Sequence, residues 1–198
     1  MKIIGLTGGI GSGKTRVLDF FKSKGTPCYQ ADLAGHKVLN EDENVKAKVK
    51  AFFGAAMYTS EGLDRARLGK RVFQDKEALA YLNSLVHPAV RADFQKFMSQ
   101  QSAPFIINEV AILFENNGHL RCDKTILVTA PQSERIARVM ARDGQSKEEI
   151  LARMDKQWSD EKKISLADYV VENLDWNDTL IQLEKIYEAI MIFALSDT

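Results

Sequence analysis

Long uncharged runs are missing from this 198-residue chain. No stretch approaches the roughly 20 consecutive apolar residues that a membrane-spanning helix needs, so no membrane partner is expected. An excess of one charge is missing too. Lysine plus arginine and aspartate plus glutamate number 27 each, which gives neither the basic surplus of a nucleic-acid binder nor the acidic surplus of a disordered tail. A small-molecule partner is expected, and no nucleic acid. Cysteine is scarce. Cys28 and Cys122 stand far apart and outside any CxxC or metal-ligand spacing, so buried or semi-buried thiols in a reducing compartment are expected rather than a disulfide. Repeats, low-complexity tracts and long linkers are absent as well. The first apolar run is broken by glycines and followed by Lys14 and Arg16, unlike a signal peptide; the expected location is cytoplasmic.

What is present begins with Gly8-Gly9-Ile10-Gly11-Ser12-Gly13-Lys14-Thr15, which fits G-x-x-x-x-G-K-[ST] directly after the apolar run Ile3-Ile4-Gly5-Leu6. Such a loop brings successive backbone N–H groups toward one point, where a lysine reaches the terminal phosphates and a hydroxyl ligates magnesium. The motif needs a strand before it and a helix after it. Arg16 to Phe21 supplies the helix, with Val17, Leu18 and Phe21 on one face. Gly9, Gly11, Ser12, Gly13, Lys14, Thr15 and the adjoining Arg16 are the candidate nucleotide-binding residues.

Gly25-Thr26-Pro27 stops that helix, and Cys28-Tyr29-Gln30 reads as a second strand leading to Asp32. Strand, helix, strand opens a parallel α/β sheet, and chain direction puts Asp32 at the carboxyl edge where ligands of such sheets collect. Asp32 alternatively serves as the N-cap of a helix starting at Leu33. From Leu33 to Gln101 the pattern becomes helical, with one stripe of Val45, Val49, Phe52 and Phe53 and another of Leu79, Leu82, Leu85 and Val86. Turns are expected at Gly54 and at 59–62, and a further helix starting at Pro88. An insertion of this kind has room for a second substrate.

Phe105-Ile106-Ile107-Asn108-Glu109 has the form of a buried strand ending in an acid, as a magnesium-supporting strand does, although such an acid is often merely solvated. The apolar continuation to Glu115 belongs to the core or a pocket floor. Lys124–Val128 is the next strand. A helix over 133–142 follows, with Ile136, Val139 and Met140 inward and arginines on its other side. Arg135, Arg138, Arg142 and Arg153 lie around Asp143-Gly144, either as a solvated face or as a flap that brings guanidinium groups over phosphates. A short strand over 167–171 and a helix over 178–193, packed through Leu180, Leu183, Ile186, Ile190 and Phe193, close the chain.

In this order, Leu6 to Lys14, Ala31-Asp32, Leu85-Val86-His87-Pro88, Ile112 to Glu115, Arg142-Asp143-Gly144 and Ala167-Asp168 with Asn173 together resemble the dephospho-CoA kinase family over nearly the whole chain. The resemblance implies a P-loop NTPase fold: a parallel five-stranded sheet flanked by helices, with a helical substrate-binding insertion and a lid. The corresponding limits are 1–30, 103–135 and 166–198 for the nucleotide-binding core, 31–102 for the acceptor domain and 136–165 for the lid. It further implies ATP-dependent phosphorylation of the ribose 3′-hydroxyl of dephospho-CoA, with magnesium, by a monomer or weak homo-oligomer. Asp32, Lys14 and Arg142 are then the catalytic candidates, with Asp32 taking the hydroxyl proton and Arg142 carried by the lid. Asn173 falls where the adenine edge is met. Thr7, Asp32, His87 and Glu109 are the acceptor-binding candidates, and Thr15 and Glu109 the metal candidates; His87 beside Pro88 also reads as a structural group. Four positions depart from the family pattern: Gln30, His36, Ala111 and Asp160.

Two other readings share parts of the pattern. A kinase acting on shikimate or gluconate has the loop and an acid after the second strand, but not the long helical insertion. A GTP switch would use Asp32-Leu33-Ala34-Gly35 as D-x-x-G, yet no N-K-x-D or T-K-x-D follows.

Overall fold

A computed structural model describes residues 1–196; Asp197 and Thr198, the end of the expected segment 166–198, lie outside the described residues. The chain forms two compact units, Met1–Tyr29 together with Ser102 onward, and Gln30–Gln101.

In chain order, β1 (Lys2–Gly8) leads through the glycine loop to α1 (Lys14–Ser23) and β2 (Cys28–Gln30). The second unit holds α2 (Ala31–Glu41), α3 (Glu43–Phe53), the short hairpin β3 (Tyr58–Thr59) and β4 (Gly62–Leu63), α4 (Arg65–Phe73) and α5 (Lys76–Ser99). The first unit resumes with β5 (Phe105–Glu109), β6 (Lys124–Thr129), α6 (Gln132–Asp143), α7 (Lys147–Met154), α8 (Asp160–Ile164), β7 (Tyr169–Glu172) and α9 (Trp176–Ser196). No helix among the described residues is long and apolar enough to cross a membrane.

The first unit is built on a parallel five-stranded sheet in the order β2-β5-β1-β6-β7. Because β1 is central, with Leu6 opposite Glu109 on one side and Ile126 on the other, it must be apolar on both faces. Ile4 and Leu6 are accordingly inaccessible to water. They pack with Val17, Leu18, Phe20 and Phe21 of α1 and with Leu183, Ile186 and Ile190 of α9. Phe20, Phe21 and Phe105 gather around Tyr187 with ring centroids 5.9–6.4 Å away, two of the three pairs edge to face. Glu109 thus ends a strand at the carboxyl edge, as its sequence pattern predicts.

Capping aspartates punctuate the helical unit. Asp42 accepts from the N–H groups of Asn44 and Val45, Asp64 from Arg67, and Asp75 from Glu77 and Ala78, each fixing a helix start. Val38, Val45, Val49, Met57, Leu68 and Leu82 form the core of this unit.

Several local expectations need correction. The helix after β2 starts at Ala31 with Gln30 as N-cap, so Asp32 lies inside the first turn and is not the cap. Pro88 does not begin a helix: α5 runs through it, the apolar contacts of Leu85, Val86, Ala89 and Val90 with the unit's core carrying the helix past the missing N–H. Residues 58–63 form a two-stranded hairpin rather than only a turn. Leu79 and Met140 face solvent, and Phe52 is half exposed, stacked flat on Tyr81 at 4.1 Å.

The strand β7 is held by Asp168, which accepts from the Thr125 backbone N–H, the Thr125 hydroxyl and the Lys124 ammonium at 2.8–2.9 Å. Burial alone would raise the pKa of this carboxyl, but the bonds from Lys124 and Thr125 outweigh it and hold the group below the usual aspartate range. Its stabilisation is therefore present above the unfolded-state pKa and lost as pH falls through the lower folded-state value. Asp168→Ala is expected to cost about 2–3 kcal/mol in urea unfolding at neutral pH. The gap should close in acid, below about pH 4.

Candidate active site

The turn after β1 requires glycine at two positions where the backbone is left-handed, Gly11 at φ 78° and Gly13 at φ 90°. A Cβ at Gly11 would run into the backbone carbonyl of Arg135, and one at Gly13 into the side-chain nitrogen of Asn173. Three carbonyls of the loop are tied back by side chains. Gly8 accepts from Lys14 Nζ, Ile10 from Arg135 Nε and Ser12 from Asn173 Nδ2, each at 2.8 Å. Gly13 caps α1 without a side chain of its own, which leaves first-turn donors for a ligand at the positive end of the helix.

The loop borders a cleft of about 150 Å³, with Gly9, Gly11, Gly13, Lys14 and Thr15 on one side and Arg138, Val139 and Arg142 of α6 on the other. Among the described residues no carboxylate lines it. Among the described residues, Ser12 Oγ and Arg138 Nη1 are both buried with no hydrogen-bonding partner. An unpartnered buried donor is costly unless something fills it, and these two fit phosphate oxygens. The chemistry that this cleft supports is the binding of a polyphosphate.

The three arginines of α6 meet different fates. Arg142 is exposed and donates from Nε and Nη2 to both oxygens of Asp143, at 2.6 and 2.8 Å. That bond pushes the Arg142 pKa up and holds the Asp143 carboxyl low. Arg138 uses Nη2 on the Asn173 carbonyl at 2.8 Å. Arg135, expected on the helix's other side with the remaining arginines, is instead buried at 8% exposure and pairs with Asp160.

The remaining predicted residues divide between the two units. Thr15 and Arg16 are exposed at the start of α1, and the Arg16 guanidinium lies 3.8 Å from the centre of the Trp176 ring. Glu109 is buried at the end of β5. Thr7 is inaccessible, its hydroxyl donating to the Ala111 carbonyl at 3.3 Å. Asn173 is buried, with its amide on Ser12 and its backbone N–H on Thr129 at 2.8 Å. Asp32 and His87 belong to the second unit, both exposed, Asp32 in the first turn of α2 and His87 within α5. In that unit Arg65 Nη2 reaches His36 Nε2 at 3.2 Å. Partial burial lowers the pKa of His36, helped by the Arg65 charge and opposed by Asp32. Cys28 and Cys122 are unpaired, and burial pushes both thiols up to about 11, which removes them as nucleophiles at neutral pH.

Sequence reading missed the contacts around Ile10 and Glu115. Gln157 Oε1 accepts the Ile10 N–H at 3.0 Å. Glu115, at the end of an apolar run, accepts from the Trp158 N–H at 3.1 Å and pairs with the fully buried Lys163 at 3.0 Å. The one available signal was the departure at Asp160, in a segment otherwise read as lid.

Gly11→Ala tests the loop geometry. The left-handed backbone and the collision with Arg135 are expected to cost about 1–3 kcal/mol, a fall of roughly 5- to 150-fold in MgADP affinity measured by calorimetry.

Comparison with known proteins agrees with this arrangement. The family model described as dephospho-CoA kinase matches residues 2–178. A dephospho-CoA kinase of Thermus thermophilus is 39% identical over 189 residues, covering 96% of this chain and 90% of that protein. A crystal structure from Thermus thermophilus superposes with a TM-score of 0.86 at 37% identity over 96% of each chain. The dephospho-CoA kinase structure from Campylobacter jejuni gives a TM-score of 0.69 at 26% identity, covering 99% of this chain and 98% of that one. The chain belongs to the dephospho-CoA kinase family.

Proposed function

We propose that this protein transfers the γ-phosphoryl group of ATP to the ribose 3′-hydroxyl of dephospho-CoA, giving coenzyme A and ADP, the last step of coenzyme A synthesis. The observation that carries this reading is a carboxylate-free cleft at the glycine loop, with two unpartnered buried donors, in a chain matched by the dephospho-CoA kinase family from residue 2 to 178.

Phosphoryl transfer demands positioning and charge stabilisation more than covalent chemistry. Backbone N–H groups from Gly11 to Thr15, the Ser12 hydroxyl and the Lys14 ammonium hold the β- and γ-phosphates. Lys14 rests on the Gly8 carbonyl, within the same loop that it serves. Thr15, and Glu109 through water, would hold magnesium, which when bound neutralises charge on the phosphates. Among the described residues no three His, Cys, Asp or Glu side chains gather as a metal site. This suits an ion held mostly by nucleotide oxygens and water, as magnesium prefers.

Asp32 takes the proton of the acceptor hydroxyl while its oxygen forms a bond to the γ-phosphorus and the bond to the β,γ-bridging oxygen breaks, releasing ADP. Arg142 exchanges Asp143 for the transferring phosphoryl group, and Arg138 Nη1 gives a second charged donor. The segment 136–165 acts as the lid and 31–102 takes the acceptor, with Thr7, His87 and Glu109 as further acceptor-binding residues and Asn173 and Arg16 on the nucleotide. We read the protein as cytoplasmic and as a monomer or weak homo-oligomer, acting without nucleic acid or membrane.

ADP release measured with and without dephospho-CoA tests the reaction. Release that depends on shikimate or gluconate instead would refute it. Asp32→Asn is expected to leave ATP binding nearly intact and to lower turnover by at least about 100-fold; unchanged turnover would remove Asp32 from the base role.

A further inference from the structure

Ile10 has no polar side chain and sits between two glycines, yet its backbone is held from both sides by residues distant in sequence. Its carbonyl accepts from Arg135 Nε at 2.8 Å, and its N–H donates to Gln157 Oε1 at 3.0 Å. Its side chain packs against Ile136, Val139, Ile150 and Met154. Arg135 cannot turn away, because Nη1 is bonded to Asp160 Oδ2 at 2.8 Å and its side chain is only 10% exposed. The segment that carries Gln157 and Asp160 is itself docked through Glu115, which takes the Trp158 N–H and pairs with Lys163.

The peptide that joins Ile10 to Gly11 is what this arrangement controls. In a trans peptide the carbonyl and the following N–H point in opposite directions. Holding the Ile10 oxygen on Arg135 therefore turns the Gly11 N–H the other way. This peptide turns through ψ of Ile10 and φ of Gly11, and Gly11 has no side chain to resist the turn. An unheld peptide could turn its oxygen toward the cleft, where it would repel a phosphate and withdraw one donor.

We propose that Arg135, held by Asp160 and assisted by Gln157, is a positioning residue for the nucleotide that keeps the Ile10 carbonyl out of the cleft and the Gly11 N–H available to a phosphate oxygen. This rests on reading the cleft as the nucleotide site. Burial of the guanidinium is offset by a carboxylate and a carbonyl rather than by solvent, and its two bonds come from different nitrogens, a spread that lysine cannot reproduce.

The test uses Arg135→Lys and Gln157→Leu in the full chain, with MgADP as the probe. Calorimetry well below both melting temperatures should show affinity about tenfold weaker in each variant, with a matching rise in KM for ATP and KM for dephospho-CoA changed by less than about twofold. Affinity within about threefold of the parent in both variants overturns the proposal, whatever happens to the melting temperatures, because a purely structural role lowers stability without moving a dissociation constant measured on folded protein. If Arg135→Lys does not fold, Gln157→Leu decides alone. MgADP binding needs no acceptor, so the comparison stands even if the parent shows no turnover on dephospho-CoA.

Discussion

Three carbonyl oxygens of the glycine loop, each held by a side-chain donor, are the constraint on which the site depends. A glycine-rich loop is flexible by composition, and its carbonyls are as able to face a ligand as its N–H groups are. The chain removes that freedom with three donors from three places: Lys14 within the loop's own helix, Arg135 from α6 and Asn173 beyond β7. With these oxygens committed to protein donors, the cleft is lined by the glycine loop, the positive end of α1 and arginines.

The sheet order makes this possible. With β1 central and β6 beside it, the elements that follow β6 and β7 both emerge next to the loop that follows β1. Asn173 hydrogen-bonds through its backbone to Thr129 at the end of β6 and through its side chain to Ser12. Asp168, at the other end of the same strand, fastens β7 to β6. An aspartate and an asparagine five positions apart thus fix the two ends of one short strand, and the second end is part of the site.

Along α6 the arginines at 135, 138 and 142 form one stripe by spacing, yet they grade from buried to exposed. Arg135 is buried and committed to the loop, Arg138 splits its guanidinium between a carbonyl and the cleft, and Arg142 is exposed and paired with its neighbour Asp143. Charge count could not reveal this gradient. It accompanies the packing of the helix, with Ile136 and Val139 buried against Ile150 and Met154 while Met140 is exposed. The proline in α5 illustrates the same limit: locally it reads as a helix start, but the contacts of the helical unit outweigh one missing hydrogen bond.

By itself the sequence determined the parallel sheet, the phosphate-binding loop, the acid at the end of β5 and the family, because these depend on contiguous patterns: an apolar strand, fixed glycine spacing, a helix that follows. Tertiary structure alone decided which side chains hold the loop open. Arg135, Gln157, Asp160 and Asn173 lie more than a hundred residues from it, and nothing in their local sequence separates a solvated polar group from one buried against a carbonyl. The difference lies in desolvation, which raises the cost of leaving a donor or acceptor unpaired and so commits each of these groups to a single partner. That commitment exists only once the sheet has brought them together.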